Sequence, residues 1–171
     1  LIRDYYSGIY NNVNVHQLGI SSMRVEELRI LLDNDYMGDD YSSWRFTGND
    51  GWFKSAEPGG IPALRAAYQD NIANADLITV DIGWNNFGVY VCNQLVDYMS
   101  NGRYKWTTDI NTIFDTEAEQ AAAAEAKAII AGYIQQNVGE GELSTALTDI
   151  FSYSILGYIH NFDIVMEKIY E

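Results

Sequence analysis

The residues best suited to chemistry follow an apolar run at positions 76–83: Gly83, Trp84, Asn85 and Asn86, in the stretch "DLITVDIGWNNFGVYV". A carboxamide supplies two N–H donors and an acceptor, with no charge to neutralise. At the carboxyl end of a strand in an α/β sheet, such a group is placed to meet a ligand. Asparagines are also ordinary turn residues that bond their own backbone. Both readings of Asn85 stand on this pattern alone. Asn86 reads as a cap for the helix that follows. Trp84 suits either the wall of a substrate pocket or packing beneath a loop. "GWNNFG" is not a dinucleotide fingerprint, because its glycines lack the two-and-three spacing.

A second candidate is the acidic stretch "DNDYMGDDYSSW" at 33–44. Asp33, Asp35, Gly38 and Asp39 stand at positions one, three, six and seven of a calcium loop. Met37 takes position five, and Trp44 takes position twelve, where a bidentate Glu is needed. The pattern fails at its most important ligand. No metal and no other cofactor is expected, and the stretch reads as a solvated acidic loop. His16 falls in an extended segment and His160 in a helical one, and both read as structural.

The whole chain narrows the function classes. Its 171 residues are 47% hydrophobic and 20% charged, which suits one globular domain with a sizeable core. The net charge of −14 repels phosphate backbones and anionic lipid heads, which argues against nucleic acid and membrane surfaces as partners. Cys92 is the only cysteine, so neither an internal disulfide nor a cysteine-based zinc site can form. Cytoplasm and secretion both remain open. No apolar run approaches the ~20 residues of a membrane span.

The elements that would position these groups can be read from periodicity. "NVNVHQLGI" (12–20) alternates as a short strand does, and 24–33 places Val25, Leu28, Leu31 and Leu32 on one helical face. Residues 34–60 show no sustained period. Their aromatics, Tyr36, Tyr41, Trp44, Phe46, Trp52 and Phe53, either anchor this insertion or form a sugar or acyl platform. Pro62 opens a helix over 62–75, and 76–83 is a second strand, apolar enough to be buried on both faces. Residues 87–100 form one helix. Thr116 and Glu119 make a capping box before an alanine-rich helix ending at Gly139. A last helix runs over 142–170, with Leu143, Leu147, Ile150, Phe151, Ser154, Tyr158, Phe162, Val165 and Ile169 as its core stripe. The two strands, separated by a crossover helix, should be parallel.

In order and spacing, these elements resemble the SGNH, or GDSL, hydrolase family. Gly83, Trp84 and Asn85 fit its G-x-N-D block, with Asn86 in place of the aspartate. "VHQLGISSMRVEELRILLD" resembles the preceding block, with Ser22 where the family has glycine. The likeness extends over nearly the whole chain, with an insertion at 34–60. It implies an α/β, three-layer, flavodoxin-like fold, helix-rich and with few parallel strands here. It implies that the Asn85 side chain and the Ser22 backbone N–H belong to an oxyanion hole, with Gly83 and Trp84 beside the substrate. It also implies an ester substrate, either an acetylated carbohydrate or a lipid.

The family's G-D-S and D-x-x-H blocks do not occur, and no aspartate stands three residues before His16 or His160. The chain therefore reads as an incomplete SGNH-like domain, an internal piece of an ester hydrolase whose serine lies elsewhere. The alternative is a non-catalytic binding or structural module on the same scaffold. Strands without their neighbours would leave free sheet edges, through which the chain is expected to form homo-oligomers. Lacking nucleophile and base motifs, the 171-residue chain should not turn over p-nitrophenyl esters. Turnover above buffer that a serine-directed phosphonate abolishes would refute this.

Overall fold

The computed structural model describes residues 2–10, 12–20, 22–39, 42, 60–100, 110 and 113–171. Its elements, in order, are α1 (Ile2–Ser7), α2 (Val25–Leu32), α3 (Gly60–Ala73), a π-helical turn (Asn86–Tyr90), α4 (Val91–Met99), α5 (Glu117–Val138) and α6 (Glu142–Tyr170). Local chemistry explains several of them. Thr116 Oγ1 accepts from the Glu119 N–H at 3.2 Å, and a Glu119 carboxylate oxygen accepts from the Thr116 N–H at 3.0 Å. That reciprocal pair satisfies two donors that a helix start leaves bare. Gly139, at φ +91°, ends α5.

The core forms around α2. Val25, Leu28, Ile30, Leu31 and Leu32 are buried with Met23, Leu64, Tyr68 and Val165. Each such aliphatic side chain removed from water contributes about 1.5–3 kcal/mol. α3 packs on one side of α2 and α6 on another. α6 also carries α5, α4 and the π turn. The predicted face of α2 is buried, but so are Glu26 and Glu27. No side of this helix is left as a solvated charged face.

The α6 stripe differs from its sequence expectation. Its buried positions are Ser144, Thr148, Ile150, Ser152, Tyr153, Ser154, Gly157, Asn161 and Val165, while Leu143 is 45% exposed. Small side chains let neighbours approach closely. A Cβ on Gly157 would stand 3.1 Å from Ile113 and 3.5 Å from the Glu26 carboxylate.

The three-layer α/β expectation is overturned: among the described residues there is no strand and no sheet, and the class is all-α. Residues 12–20 and 76–83 are without regular structure. Residues 76–83 do alternate, since Val80 and Ile82 pack on the core while Leu77 is exposed; of 12–20, Leu18 and Ile20 pack on the core, and residues 14–17, Val15 among them, are exposed in succession. The 76–83 segment is thus covered on one face only, not on both. One carbonyl in each segment turns to a side chain. The Leu18 carbonyl accepts from the Tyr68 hydroxyl, and the Ile82 carbonyl accepts from the Tyr158 hydroxyl at 3.3 Å. Alternation reports a half-buried extended chain, whereas a sheet needs a partner strand. With no sheet among these residues, oligomerisation through sheet edges loses its basis. No helix among them is long and apolar enough to cross a membrane.

The helix expected over 87–100 divides into the π turn and α4. The Asn86 carbonyl accepts from the buried Ser154 hydroxyl at 2.6 Å. That bond to α6 anchors the first turn outside the regular α-helical ladder. Just before it, Gly83 has φ +128°, and a Cβ there would lie 2.7 Å from the Tyr158 ring. Both the backbone angle and the close ring exclude a side chain. Gly83→Ala should therefore destabilise the fold by about 1–3 kcal/mol, read as a lower urea midpoint.

Candidate functional site

Two turns meet at the amino end of α2. The first is residues 22–24. Ser22 adopts φ +60°, the left-handed region that favours glycine. The second is Gly83–Asn86. Asn85 Nδ2 donates to the Met23 carbonyl at 2.9 Å. Asn86 Oδ1 accepts the Val25 N–H at 3.0 Å, and Asn86 Nδ2 donates to a Glu26 carboxylate oxygen at 2.7 Å. Asn86 thus caps α2, sixty-one residues earlier in the chain, and not the helix that follows it. The correction has a simple cause. Residue 24, which precedes α2, is an arginine, whose side chain has no acceptor with which to cap.

Behind these turns lies a buried ionic cluster. The Arg24 guanidinium, almost wholly buried, donates to Glu27 Oε1 at 2.6 Å and to both Asp39 oxygens at 2.7 and 3.0 Å. It also donates to Ser42 Oγ at 3.1 Å and lies over the Tyr90 ring at 5.1 Å. Ser42 Oγ donates to Glu27 Oε1 at 2.7 Å, and its N–H donates to Asp39 at 2.7 Å. The Tyr153 hydroxyl, from α6, donates to Asp39 Oδ2 at 2.9 Å. Glu26 stands 3.8 Å from Arg24 Nε.

The carboxylates outnumber the guanidinium, and their protonation differs accordingly. Burial pushes the Glu26 carboxyl up to about 7, with Arg24 pulling down and Asp39 and Glu27 pushing up. Burial also pushes Asp39 up, but Arg24, the Ser42 N–H and the Tyr153 hydroxyl outweigh it and hold Asp39 at about 2. Burial works against the charge on Arg24, yet Asp39, Glu27 and Glu26 raise its pKa well above the ordinary value. Burial, and then Asp39, raise the Tyr153 hydroxyl, so it remains a donor.

Of the residues read from sequence, Asn85 and Ser22 come together, joined through Met23. The Ser22 N–H makes no hydrogen bond to any described residue. Asn85 uses one of its two amide hydrogens on Met23 and keeps the other. Gly83 is buried against Tyr158, and Trp84 is exposed. His16 is exposed, and His160 lies edge-on to Phe114 at 5.1 Å, its pKa lowered by burial and by Arg29. The acidic stretch is not simply solvated, because Asp39 is clamped under Arg24 and Asp33 accepts from Arg29 at 3.2 Å. Tyr36 packs on the core beneath Arg29, at 3.9 Å. Tyr41, Trp44, Phe46, Trp52 and Phe53 lie outside the described residues. No group of three or more His, Cys, Asp or Glu among the described residues could hold a metal.

Arg24, Glu26, Glu27, Asp39, Ser42 and Tyr153 were not legible as a group. The available signal was a pair of acidic residues on a helix otherwise rich in aliphatics, three positions from an arginine. Fold and site together define an all-α arrangement in which a buried ionic cluster backs an amide-bearing double turn. No family model, no curated protein and no solved structure matches the chain.

Glu26 makes the cluster sensitive to pH. Its folded pKa of about 7 exceeds the ordinary 4.5, so the fold keeps a proton that the unfolded chain releases. The stability this contributes is complete below about 4.5 and is lost as the pH rises through about 7. The loss should be on the order of 2–3 kcal/mol. Asp39 acts oppositely, and its contribution fades as the pH falls from 3.8 toward about 2. Urea midpoints at about pH 5 and about pH 7.5 should fall in that order. Glu26→Gln should abolish the difference, and a slope unchanged in that variant would refute the assignment.

Proposed function

We propose that the chain is a portion of a serine ester hydrolase of SGNH type, contributing two oxyanion-hole donors. These are the Asn85 side-chain amide and the Ser22 backbone N–H. One observation carries the reading: the 2.9 Å bond from Asn85 to the Met23 carbonyl, across sixty-two residues. It unites the two stretches on which the family resemblance rests. The left-handed φ of Ser22, where the resemblance puts glycine, supports it further.

The chemistry follows from the donors. Attack on an ester carbonyl collects negative charge on one oxygen. A neutral amide and a backbone N–H, both held by the fold beforehand, stabilise that charge without reorganising. The nucleophilic serine and its base come from outside these residues. The same Asn85–Met23 bond favours one other reading, a non-catalytic module in which Asn85 only ties two turns together.

Kinetics separate the two. In the complete protein, Asn85→Ala should lower kcat and kcat/KM together by ~100-fold or more, with little change in KM. An unchanged kcat would leave Asn85 as a tie between turns.

A further inference from the structure

Glu26 belongs to the buried cluster and is bonded to the double turn, and the chemistry proposed above makes no use of it. It is 2% exposed. The contact runs through one carboxamide. Asn86 Nδ2 donates to Glu26 Oε2 at 2.7 Å while Asn86 Oδ1 accepts the Val25 N–H at 3.0 Å, so both ends of the amide are taken up by α2. Whatever moves the Glu26 carboxyl therefore moves the end of the Gly83–Asn86 turn, and with it the neighbouring Asn85. The cluster holds a reason for movement, because one guanidinium faces three carboxylates, Glu26, Glu27 and Asp39. Arg24 gives its short bonds to Glu27 and Asp39 and leaves Glu26 at 3.8 Å, the most weakly paired of the three. Tyr36 and Tyr153, the other titratable groups coupled to Glu26, have hydroxyls that burial keeps neutral. α6 otherwise presents Gly157, where a Cβ would stand 3.5 Å from Glu26 Oε1. In this setting burial pushes the Glu26 carboxyl up to about 7.

We propose that the Glu26–Asn86 bond is a proton-operated latch on the double turn, closed while the Glu26 carboxyl holds its proton and opened when it loses it. Two effects of proton loss oppose each other. An ionised carboxylate is a better acceptor for the Asn86 amide than a neutral one, which tightens the bond. The same ionisation leaves the buried cluster with negative charge in excess, relieved only if the carboxylate reaches water or water reaches it. The second effect is the larger. The gain falls on one hydrogen bond between groups already in place, whereas the cost is the hydration of a whole charge and repulsion from Glu27 and Asp39. The carboxylate then leaves Asn86, and the cap on Val25 loosens with it. The turn is left to the Asn85–Met23 bond and to its bonds with Ser154 and Tyr158 of α6. On the ester-hydrolase reading, on which this consequence alone rests, the oxyanion donors are assembled in mildly acidic solution and loosened in mildly alkaline solution.

The test follows the turn itself, without denaturant. The full chain, labelled with ¹³C and ¹⁵N, is titrated from about pH 5 to about pH 9. The Glu26 carboxyl ¹³C shift reports the proton. Hydrogen exchange of the Val25 N–H, corrected for its intrinsic rate, reports the cap. Both should change with one midpoint, and Val25 protection should fall across it roughly ten-fold or more beyond any fall in the α5 amides. Glu26→Gln, which cannot ionise, should hold Val25 at the protection it has in acid relative to α5. Should that variant not fold, the wild-type titration decides alone. Val25 protection that is level with pH, or that rises as Glu26 ionises, overturns the latch. So does a fall no greater than that of α5, which is opening of the whole chain, and so does a pH response retained in Glu26→Gln. Histidine is the other side chain that titrates in this range, so a Val25 transition that follows the His16 or His160 ring signals in place of Glu26 also overturns it. A working latch, with kcat of the complete protein unchanged in Asn85→Ala, keeps the latch and removes the oxyanion reading. A kcat lost in Asn85→Ala, with Val25 protection level with pH, does the reverse.

Discussion

A single buried cation organises the described structure. Arg24 has almost no exposed surface, and an unpaired charge in such a place costs several kcal/mol. The chain can bury it only by bringing acceptors from distant segments. Glu27 comes from the next turn of α2, Asp39 and Ser42 from the stretch beyond it, and the Asp39 carboxylate is braced in turn by Tyr153 of α6. Tyr90, at the end of the π turn, offers its ring face. Meeting the demands of one guanidinium therefore fixes where α2, the acidic stretch, α6 and the π turn stand relative to each other.

That arrangement sets the candidate site. Met23 immediately precedes Arg24, and its carbonyl is the acceptor for Asn85. Asn86 joins the same region from the opposite direction, capping α2 and bonding Glu26. The Gly83–Asn86 turn is thus held to the amino end of α2 by two amides, and to α6 by Ser154 and Tyr158. Glu26 pays a penalty for its place here, since burial favours its protonated form. Below about pH 7 the protonated Glu26 carboxyl relieves the cluster of an excess negative charge.

α6 illustrates why a buried face need not be an apolar one. Arg29 donates to Asn161 at 2.9 Å, and Asn161 donates in turn to the Gly157 carbonyl at 2.8 Å. Asn161 is satisfied because α2 lies close alongside. Tyr158 and Phe162 stack at 5.5 Å at the edge of the contact, half-buried, where the sequence stripe would have put them at its centre. Hydropathy periodicity ranks residues by type. It does not register a hydroxyl or amide whose partner sits on another helix.

The sequence by itself determined what local interactions decide. The capping box at Thr116, the alanine-rich α5, its glycine stop and the long α6 are all legible, because helix hydrogen bonds close within four residues. So is the apolar face of α2, whereas residues 76–83, read as a strand buried on both faces, are covered on one. The pairing of Asn85 with the Ser22 turn was reachable only through a resemblance, not from the residues' own pattern. Tertiary structure alone decided the rest. Whether two extended segments become strands depends on a partner, and here one carbonyl of each accepts from a tyrosine hydroxyl, Tyr68 or Tyr158. Whether Asn86 caps its own helix or another depends on what lies beside it. Whether Asp39 is solvated or buried depends on Arg24, fifteen residues away. Each is a long-range hydrogen bond or ion pair, and such a bond leaves no period in the sequence.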